Sequence, residues 1–374
     1  MAKRTQTKPT NVKKPADKQI QPVRLLDIAR EAGVSRSVVG QVLNGGKGNS
    51  RVADATAQHI LKVADRLSYR PNLAAQQLRG KRTLTYGVMV ASAGDPLSSF
   101  LVQHIDTEAV KAGCHTMISN TIGCQDLGPN QFDYHVEEFT RRAVDGVFCA
   151  VHGWFEGDRR ALMVRHPNTV FYGDPGIPGA HSVSVDRPTA IRAAARHLIE
   201  QGRQRIALAV ADLKKPSCRA RLEGYREALA EADIPYRRSL VFDAGPHGAA
   251  YAIHDPQTLT WDFNAEPIDL AIDALVRDGR CDSIIAYDDF WAAVILRRLR
   301  ARGISVPDDI AVVGYVNHYL ADWTDPPLTS IDLQHQESAK VMIQMMEQMV
   351  ENGPLPEDKR QVIVQPKLVV RQSS

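Results

Sequence analysis

From residue 83 to the end of the chain, short apolar segments alternate with segments whose apolar residues recur at helical spacing. The apolar segments are strand candidates, and they are Tyr86–Val90, Thr116–Ser119, Gly146–Ala150, Arg205–Val210, Ser283–Ala286 and Ile310–Gly314. The helical segments between them include Ala190–Gln201, Arg219–Ala232, Ile268–Asp278 and Phe290–Arg302. Because such alternation builds parallel sheets with helices on both faces, it predicts an α/β fold. About 290 residues exceed one ordinary domain, so we expect two such lobes.

Residues 22–70 have a different pattern, with three amphipathic helical segments and no strand candidate. Their apolar stripes are Leu25, Ile28, Ala29 and Ala32, then Val38, Val39, Val42 and Leu43, then Ile60, Val63, Ala64 and Leu67. Gly33 is expected to end the first helix, and Ser35 is expected to cap the second. Two helices joined by a short turn that contains glycine are typical of a helix-turn-helix.

Charge is distributed unevenly along the chain. Residues 1–82 contain 17 Lys and Arg against 5 Asp and Glu, whereas the remaining residues contain 29 against 38. A basic N-terminal part joined to an acidic body is what binding of a phosphate backbone by one end requires. A basic tail that serves only solubility is the alternative. Residues 1–21 have no hydrophobic period and are predicted to be a disordered basic extension.

The run Leu25–Asn44 resembles the signature of the LacI family of bacterial transcription regulators. The resemblance continues through later segments, which are Tyr69–Asn72, Ala74–Gly80, Gly202–Ala207, Arg221–Tyr225, Val306–Tyr315 and Pro326–Ile331. It implies a three-helix DNA-binding head, a hinge helix and a two-lobed effector domain of the periplasmic-binding-protein type. The implied function is regulation of transcription, as a repressor, under the control of a small molecule.

The resemblance also implies which head residues contact DNA. The second helix of the family enters the major groove, and its specificity positions correspond to Arg36, Ser37 and Gln41. Ser35 and Asn44 are further candidate contacts at the two ends of this helix. Gln41 stands where well-known members carry arginine, and glutamine pairs with adenine whereas arginine favours guanine. A solvated surface glutamine is the alternative.

Residues 71–82 correspond to the hinge helix of the family. Leu78 matches the leucine that wedges into the minor groove, and Ala75 lies one turn earlier, where two hinge helices approach each other. Packing of Leu78 on the sensing domain is the alternative. The head departs from the family at Val38 and Gly40, where threonine and serine are usual, so one or two phosphate contacts are expected to be missing.

Candidate effector contacts in the body are less specific. Arg221 matches an arginine that clamps ligands in relatives, and Asp288 matches an aspartate that accepts ligand hydrogen bonds; a salt bridge between the lobes is the alternative for both. Tyr287 stands where the family often has asparagine. The other candidates lie at predicted strand ends or offer a ring for stacking, and they are Asp95, Phe100, Asp174 and Trp261. A cation and an anion across a cleft favour a sugar, and a nucleobase is the alternative effector.

Domain boundaries follow from these assignments. We expect a basic extension over 1–21, the helix-turn-helix domain over 22–70 and the hinge over 71–82. The first lobe should comprise 83–184 with about 316–345, and the second lobe 185–315 with about 346–374.

Other classes of protein fit the sequence less well. A two-lobed sugar-binding protein outside transcription is the nearest alternative, but it would not need the helix-turn-helix. Nothing in the pattern predicts catalysis, a metal site or a cofactor, and the five cysteines lack metal-site spacing. We therefore expect a cytoplasmic homodimer that binds double-stranded operator DNA and a small effector, with no membrane association.

Overall fold

The structure is a computed structural model, and it describes residues 23–43, 52–70, 81–91, 96–121, 131–151, 156–245, 251–255, 260–263 and 266–374. The chain divides into two compact units, which are Met1–Lys81 and Arg82–Ser374. No helix in these described ranges is long and apolar enough to cross a bilayer.

The first unit contains the three predicted helices, α1 (Leu25–Ala32), α2 (Arg36–Leu43) and α3 (Asp54–Arg66). Gly33 ends α1 with φ of 67°, a left-handed conformation that glycine adopts without strain. The Ser35 hydroxyl accepts a hydrogen bond from the Val38 N–H at 3.3 Å, as expected of a residue that caps α2. Ile28, Val39 and Ile60, one from each helix, are fully buried together and form the centre of this small core.

The second unit contains the predicted alternation of strands and helices. Its strands are β1 (Thr85–Val90), β2 (His115–Asn120), β3 (Gly146–Ala150), β4 (Thr169–Tyr172), β5 (His181–Val185), β6 (Ile206–Val210), β7 (Val241–Asp243), β8 (Tyr251–Asp255), β9 (Thr260–Phe263), β10 (Ser283–Ile285), β11 (Ala311–Val316), β12 (Thr329–Asp332), β13 (Gln361–Val364) and β14 (Lys367–Val369). Its helices are α4 (Pro96–Lys111), α5 (Gln131–Arg141), α6 (Glu156–Arg165), α7 (Arg187–Glu200), α8 (Pro216–Glu231), α9 (Glu266–Ile272), α10 (Asp289–Ala301), α11 (Leu320–Trp323) and α12 (His335–Asn352). A π-helical segment, Asp273–Asp278, continues α9.

Two six-stranded sheets define two lobes. The first sheet has the order β13-β5-β4-β3-β1-β2, and the second has the order β14-β12-β11-β10-β6-β7. All neighbouring strands in both sheets are parallel except the pair of β12 and β14 at the edge of the second. Central strands such as β3, β6 and β11 are buried along their whole length, as expected where helices cover both faces.

The assignment of two C-terminal strands to lobes was wrong. The sequence interpretation placed 316–345 in the first lobe and 346–374 in the second. The structure places β12, within the former range, in the second sheet and β13, within the latter, in the first. The chain therefore crosses between the lobes after β5, after β12 and after β13. Hydrophobic pattern identifies a strand but does not say which of two similar sheets it joins, because either edge offers the same backbone partners.

Candidate functional site

The first turn of α2 presents the predicted DNA-reading residues of the head. Ser35, Arg36 and Ser37 are exposed, whereas Gln41, one turn further on, is half-buried. The opposite face of α2 is held by Val39, which is fully buried. The helix can therefore offer its N-terminal turn to a groove without exposing its core face. The predicted contacts Asn44, Ala75 and Leu78 lie outside the described residues.

A cleft of about 590 Å³ lies between the two lobes of the second unit. The first lobe contributes the carboxyl ends of β3, β4 and β5 and the loop after β4, and the second lobe contributes the first residues of α7 and α8. Carboxyl ends of parallel strands are where open α/β sheets bind ligands. The volume is within the range of small-molecule sites, about 300–1,000 Å³.

Of the predicted effector contacts, Asp174 lines this cleft directly. Its Oδ1 accepts a hydrogen bond from the Gly176 N–H at 2.8 Å, which fixes the loop after β4. Asp95 lies outside the described residues, and so does the side chain of Trp261, which belongs to strand β9. Phe100, Arg221 and Asp288 lie within the described ranges but are not among the residues that line the cleft.

Arg221 is a buried arginine in the middle of α8. Its guanidinium lies 3.6 Å from the ring centroid of Tyr315 and 4.9 Å from that of Tyr287, and its Nη1 donates to the Tyr287 carbonyl at 2.6 Å. Burial acts to lower the pKa of Arg221, but Tyr315, Tyr287 and Asp288 outweigh it and raise the pKa. Its Nε is buried and has no hydrogen-bond partner in the described part of the chain. Cationic contacts with tyrosine faces contribute about 2 kcal/mol where they are desolvated.

Asp288 and Asp289 lie at the start of α10. Asp288 is buried and its Oδ1 accepts the Trp291 N–H at 2.9 Å, so it caps this helix. Asp289 accepts the His318 N–H at 2.6 Å, and burial raises the pKa of its carboxyl to about 7 although that hydrogen bond acts in the opposite direction. Arg221 and Asp288 both belong to the second lobe, so an ion pair between these two side chains would not join the lobes.

Phe100 is the centre of a cluster of histidines beside the crossing segments. Its ring centroid lies 5.0, 5.4 and 5.8 Å from those of His104, His318 and His335. His335 begins α12, and its ring centroid is also 5.9 Å from that of Tyr172, which lines the cleft. Burial, with contributions from His104 and Arg187, lowers the pKa of His335 to about 3, so its ring is neutral. Its Nδ1 has no partner among the described residues.

Comparisons with known proteins assign this arrangement to a family. A profile described as bacterial regulatory proteins, lacI family, matches residues 24–72, and a periplasmic binding protein-like domain matches 195–374. The HTH-type transcriptional repressor PurR of Vibrio campbellii is 28% identical over 351 residues, which are 92% of this chain and 96% of that protein. The chain belongs to the LacI family.

One further relative is similar in sequence, and two solved structures share the fold. The HTH-type transcriptional regulator DegA of Bacillus subtilis is 25% identical over 354 residues, 94% of this chain and 97% of that protein. The Lac repressor dimer bound to operator and the anti-inducer ONPF superposes with a TM-score of 0.76 at 24% identity, covering 94% of this chain and 99% of that one. The complex of the transcriptional regulator CelR with cellobiose gives a TM-score of 0.63 at 25% identity, covering 94% and 100%.

Membership of the LacI family makes this protein a DNA-binding transcriptional regulator with a helix-turn-helix head and two parallel-sheet lobes. The fold class read from the sequence is confirmed. The helix-turn-helix occupies the described helices α1 and α2 within the matched residues 24–72.

Sequence reasoning missed several residues that line the cleft of this LacI-family protein. Arg187 and Lys215 are the first residue of α7 and the residue before α8, and Asp186 caps α7. Arg187 and Lys215 each precede a proline at the start of a helical segment, a signal that marks a helix N-terminus but not its direction in space. Only the packing of α7 against α8 brings the two helix starts to one wall.

Proposed function

We propose that this protein is a transcriptional repressor that binds a palindromic operator as a homodimer in the cytoplasm and that a carbohydrate bound between its lobes changes its affinity for the operator. The observation that carries the proposal is the cleft, because residues of both lobes line it and its closure would therefore move one lobe against the other. The PurR relatives are named transcriptional repressors, which supports the repressor part of the proposal. The complex of CelR with cellobiose supports the carbohydrate part.

The chemistry around the cleft favours a sugar. Asp174 and Asp186 offer carboxylate oxygens to hydroxyl groups, and Phe171 and Tyr172 offer rings to the apolar face of a pyranose. Arg221 and Asp288 are proposed to contact the same ligand when the lobes close. The effector shifts operator affinity only by its differential affinity for the open and closed arrangements, typically about 1–3 kcal/mol.

The experiment that tests the proposal begins by selecting the operator from randomised DNA. Titration of that operator should show two chains per site, and affinity should fall steeply as salt rises, because the first 82 residues carry 17 basic against 5 acidic side chains. Operator affinity is then measured with and without a panel of neutral sugars, acidic sugars and nucleobases. One chain per site, or no change with any compound, contradicts the proposal, and a response to nucleobases alone replaces its carbohydrate part.

Gln41→Arg should change the base preference at one position of each half-site from adenine to guanine. Each bidentate side-chain pair contributes about 1–3 kcal/mol of discrimination, and the two side chains pair with different bases. Selection from randomised operators with both proteins measures the change. Gln58→Arg, on the exposed surface of α3, is the matched control, because it adds the same charge outside the recognition helix. An identical selected motif for Gln41→Arg would mean that Gln41 does not read bases.

A further inference from the structure

We infer that the ligand of the cleft carries an anionic group, and that Arg187 and Lys215 bind it, so that the effector is an acidic sugar and not a neutral one. The inference rests on the proposed function and makes its ligand more specific. Basic residues at two helix starts, a buried Nε of Arg187 without a partner among the described residues, and acceptors suited to hydroxyl groups lead to it.

Basic residues outnumber acidic ones on the cleft wall. Arg159, Arg187 and Lys215 line the cleft, together with two acidic residues, Asp174 and Asp186. Each of these carboxylates already accepts a backbone N–H, Asp174 from Gly176 at 2.8 Å and Asp186 from Thr189 at 3.0 Å. Within the described ranges neither Arg187 nor Lys215 forms an ion pair with a carboxylate. The wall therefore holds positive charge that an anion would balance.

Arg187 has a specific need for an acceptor. Its Nε is buried and has no hydrogen-bond partner among the residues that the structure describes. Two groups that interact with Arg187, His335 and Tyr172, do not supply a negative charge. Burial, together with Arg187 itself, keeps His335 neutral, and burial raises the pKa of Tyr172 although Arg187 acts against that rise. A buried donor without a partner costs more free energy when it belongs to a charged group than when it belongs to a neutral group. A carboxylate or phosphate oxygen would satisfy the Nε of Arg187.

Two helices begin at this wall. The first residues of α7, which has 14 residues, and of α8, which has 16, both line the cleft. Helix N-termini carry a partial positive charge. The carboxylate of Asp186 already caps α7, whereas α8 begins without a side-chain cap, so the start of α8 favours an anion at the same place as Arg187 and Lys215. The two starts are held together because Gly224 of α8 packs directly on the backbone of Pro188 in α7.

The remaining polar groups indicate that the anion also bears hydroxyl groups. Asp174 and Asp186 each use Oδ1 to accept a backbone N–H, which leaves Oδ2 of each without a hydrogen bond to the described residues, and a carboxylate oxygen can only accept. An apolar acid would leave these oxygens without a donor. A sugar with one carboxylate or one phosphate provides both the anion for the cations and the hydroxyl donors for the acids.

The test is calorimetric titration of the full-length protein with glucuronate, gluconate, glucose 6-phosphate and glucose. We expect at least one acidic sugar to bind ten times more tightly than glucose, and the carboxylate and phosphate arms to show which anion fits. Arg187→Gln and Lys215→Gln should each weaken the binding of that acidic sugar about tenfold, and Arg187→Lys should lose less because it keeps the charge. Lys214→Gln is the matched control, because Lys214 is an exposed neighbour that does not line the cleft.

The outcomes separate this inference from the proposed function. If glucose binds as tightly as every acidic sugar and changes operator affinity, or if the acidic sugar binds equally to the wild type and to Arg187→Gln/Lys215→Gln, the inference is wrong while the proposed function stands. If no sugar of either kind binds, both are wrong. Thermal unfolding of each variant confirms that the lost affinity is measured on folded protein.

Discussion

Arg221→Ala is expected to remove the effect of the effector on operator binding. The ratio of operator affinities with and without effector should fall from a value in the usual range of about 5- to 150-fold to near one. Arg221 connects α8 to the ends of two strands of the second lobe through Tyr315 and the carbonyl of Tyr287. Tyr172 of the first lobe is buried, which raises its pKa, and Tyr315 adds to that rise while Arg187 opposes it.

The removal of Arg221 therefore removes its contacts with Tyr315 and Tyr287 within the second lobe as well as a proposed ligand contact. The measurement is the operator titration at zero and saturating effector. Arg226→Ala is the control, because Arg226 lies on the same helix and its guanidinium also contacts a tyrosine, 4.6 Å from the ring centroid of Tyr236, but it is not a proposed ligand contact. A full response in Arg221→Ala would show that the effector acts without this arginine.

Asp288→Asn, measured in the same operator titration, distinguishes a role of Asp288 as a ligand contact from its role as the cap of α10. The asparagine carbonyl oxygen can still accept the Trp291 N–H and cap α10, so stability should change little. The negative charge beside Arg221 is lost, however. A lost effector response with unchanged thermal unfolding assigns Asp288 to the ligand, whereas an unchanged response leaves it as a helix cap.

Gly224→Ala is expected to destabilise the second unit more than the addition of one methyl group at any other position of α8. A Cβ at this position would lie 2.7 Å from both the carbonyl carbon and the Cα of Pro188, which are backbone atoms that cannot rotate away. Overpacking of this kind costs about 1–3 kcal/mol, and here the only relief is to separate α7 from α8. Because both helices begin at the cleft, affinity for the effector should fall together with stability.

Thermal and denaturant unfolding measure the change in free energy of unfolding, and calorimetry measures the change in affinity. Gly157→Ala on α6 is the matched control, because no atom outside the local chain lies within 4 Å of its Cβ position. In that helix the change from glycine to alanine should stabilise by about 0.5–1 kcal/mol. If Gly224→Ala has the same free energy of unfolding as the wild type, α7 and α8 can separate at little cost in free energy.

Local sequence signals were sufficient for the head and for most elements of the body. Gly33, Ser35 and the stripe around Val39 specify the helix-turn-helix because caps and apolar period act over a few residues. The strands around Val88, Phe148 and Val313 were readable because buried parallel strands are continuous apolar runs. The family signature added the DNA-reading positions, which remain predictions.

The tertiary structure alone decided where the chain crosses between lobes and what the cleft contains. The sequence interpretation assigned β12 and β13 to the wrong lobes, because either sheet offers an equivalent edge. Only the packing of the whole domain selects the sheet that each strand joins. Arg187 and Lys215 are 28 positions apart in sequence and become neighbours of one cleft through the contact of Gly224 with Pro188. Asp288 caps α10 by accepting the Trp291 N–H, and its contact with a ligand remains a prediction. Side-chain type and spacing are local properties, whereas burial and direction depend on the packing of distant segments.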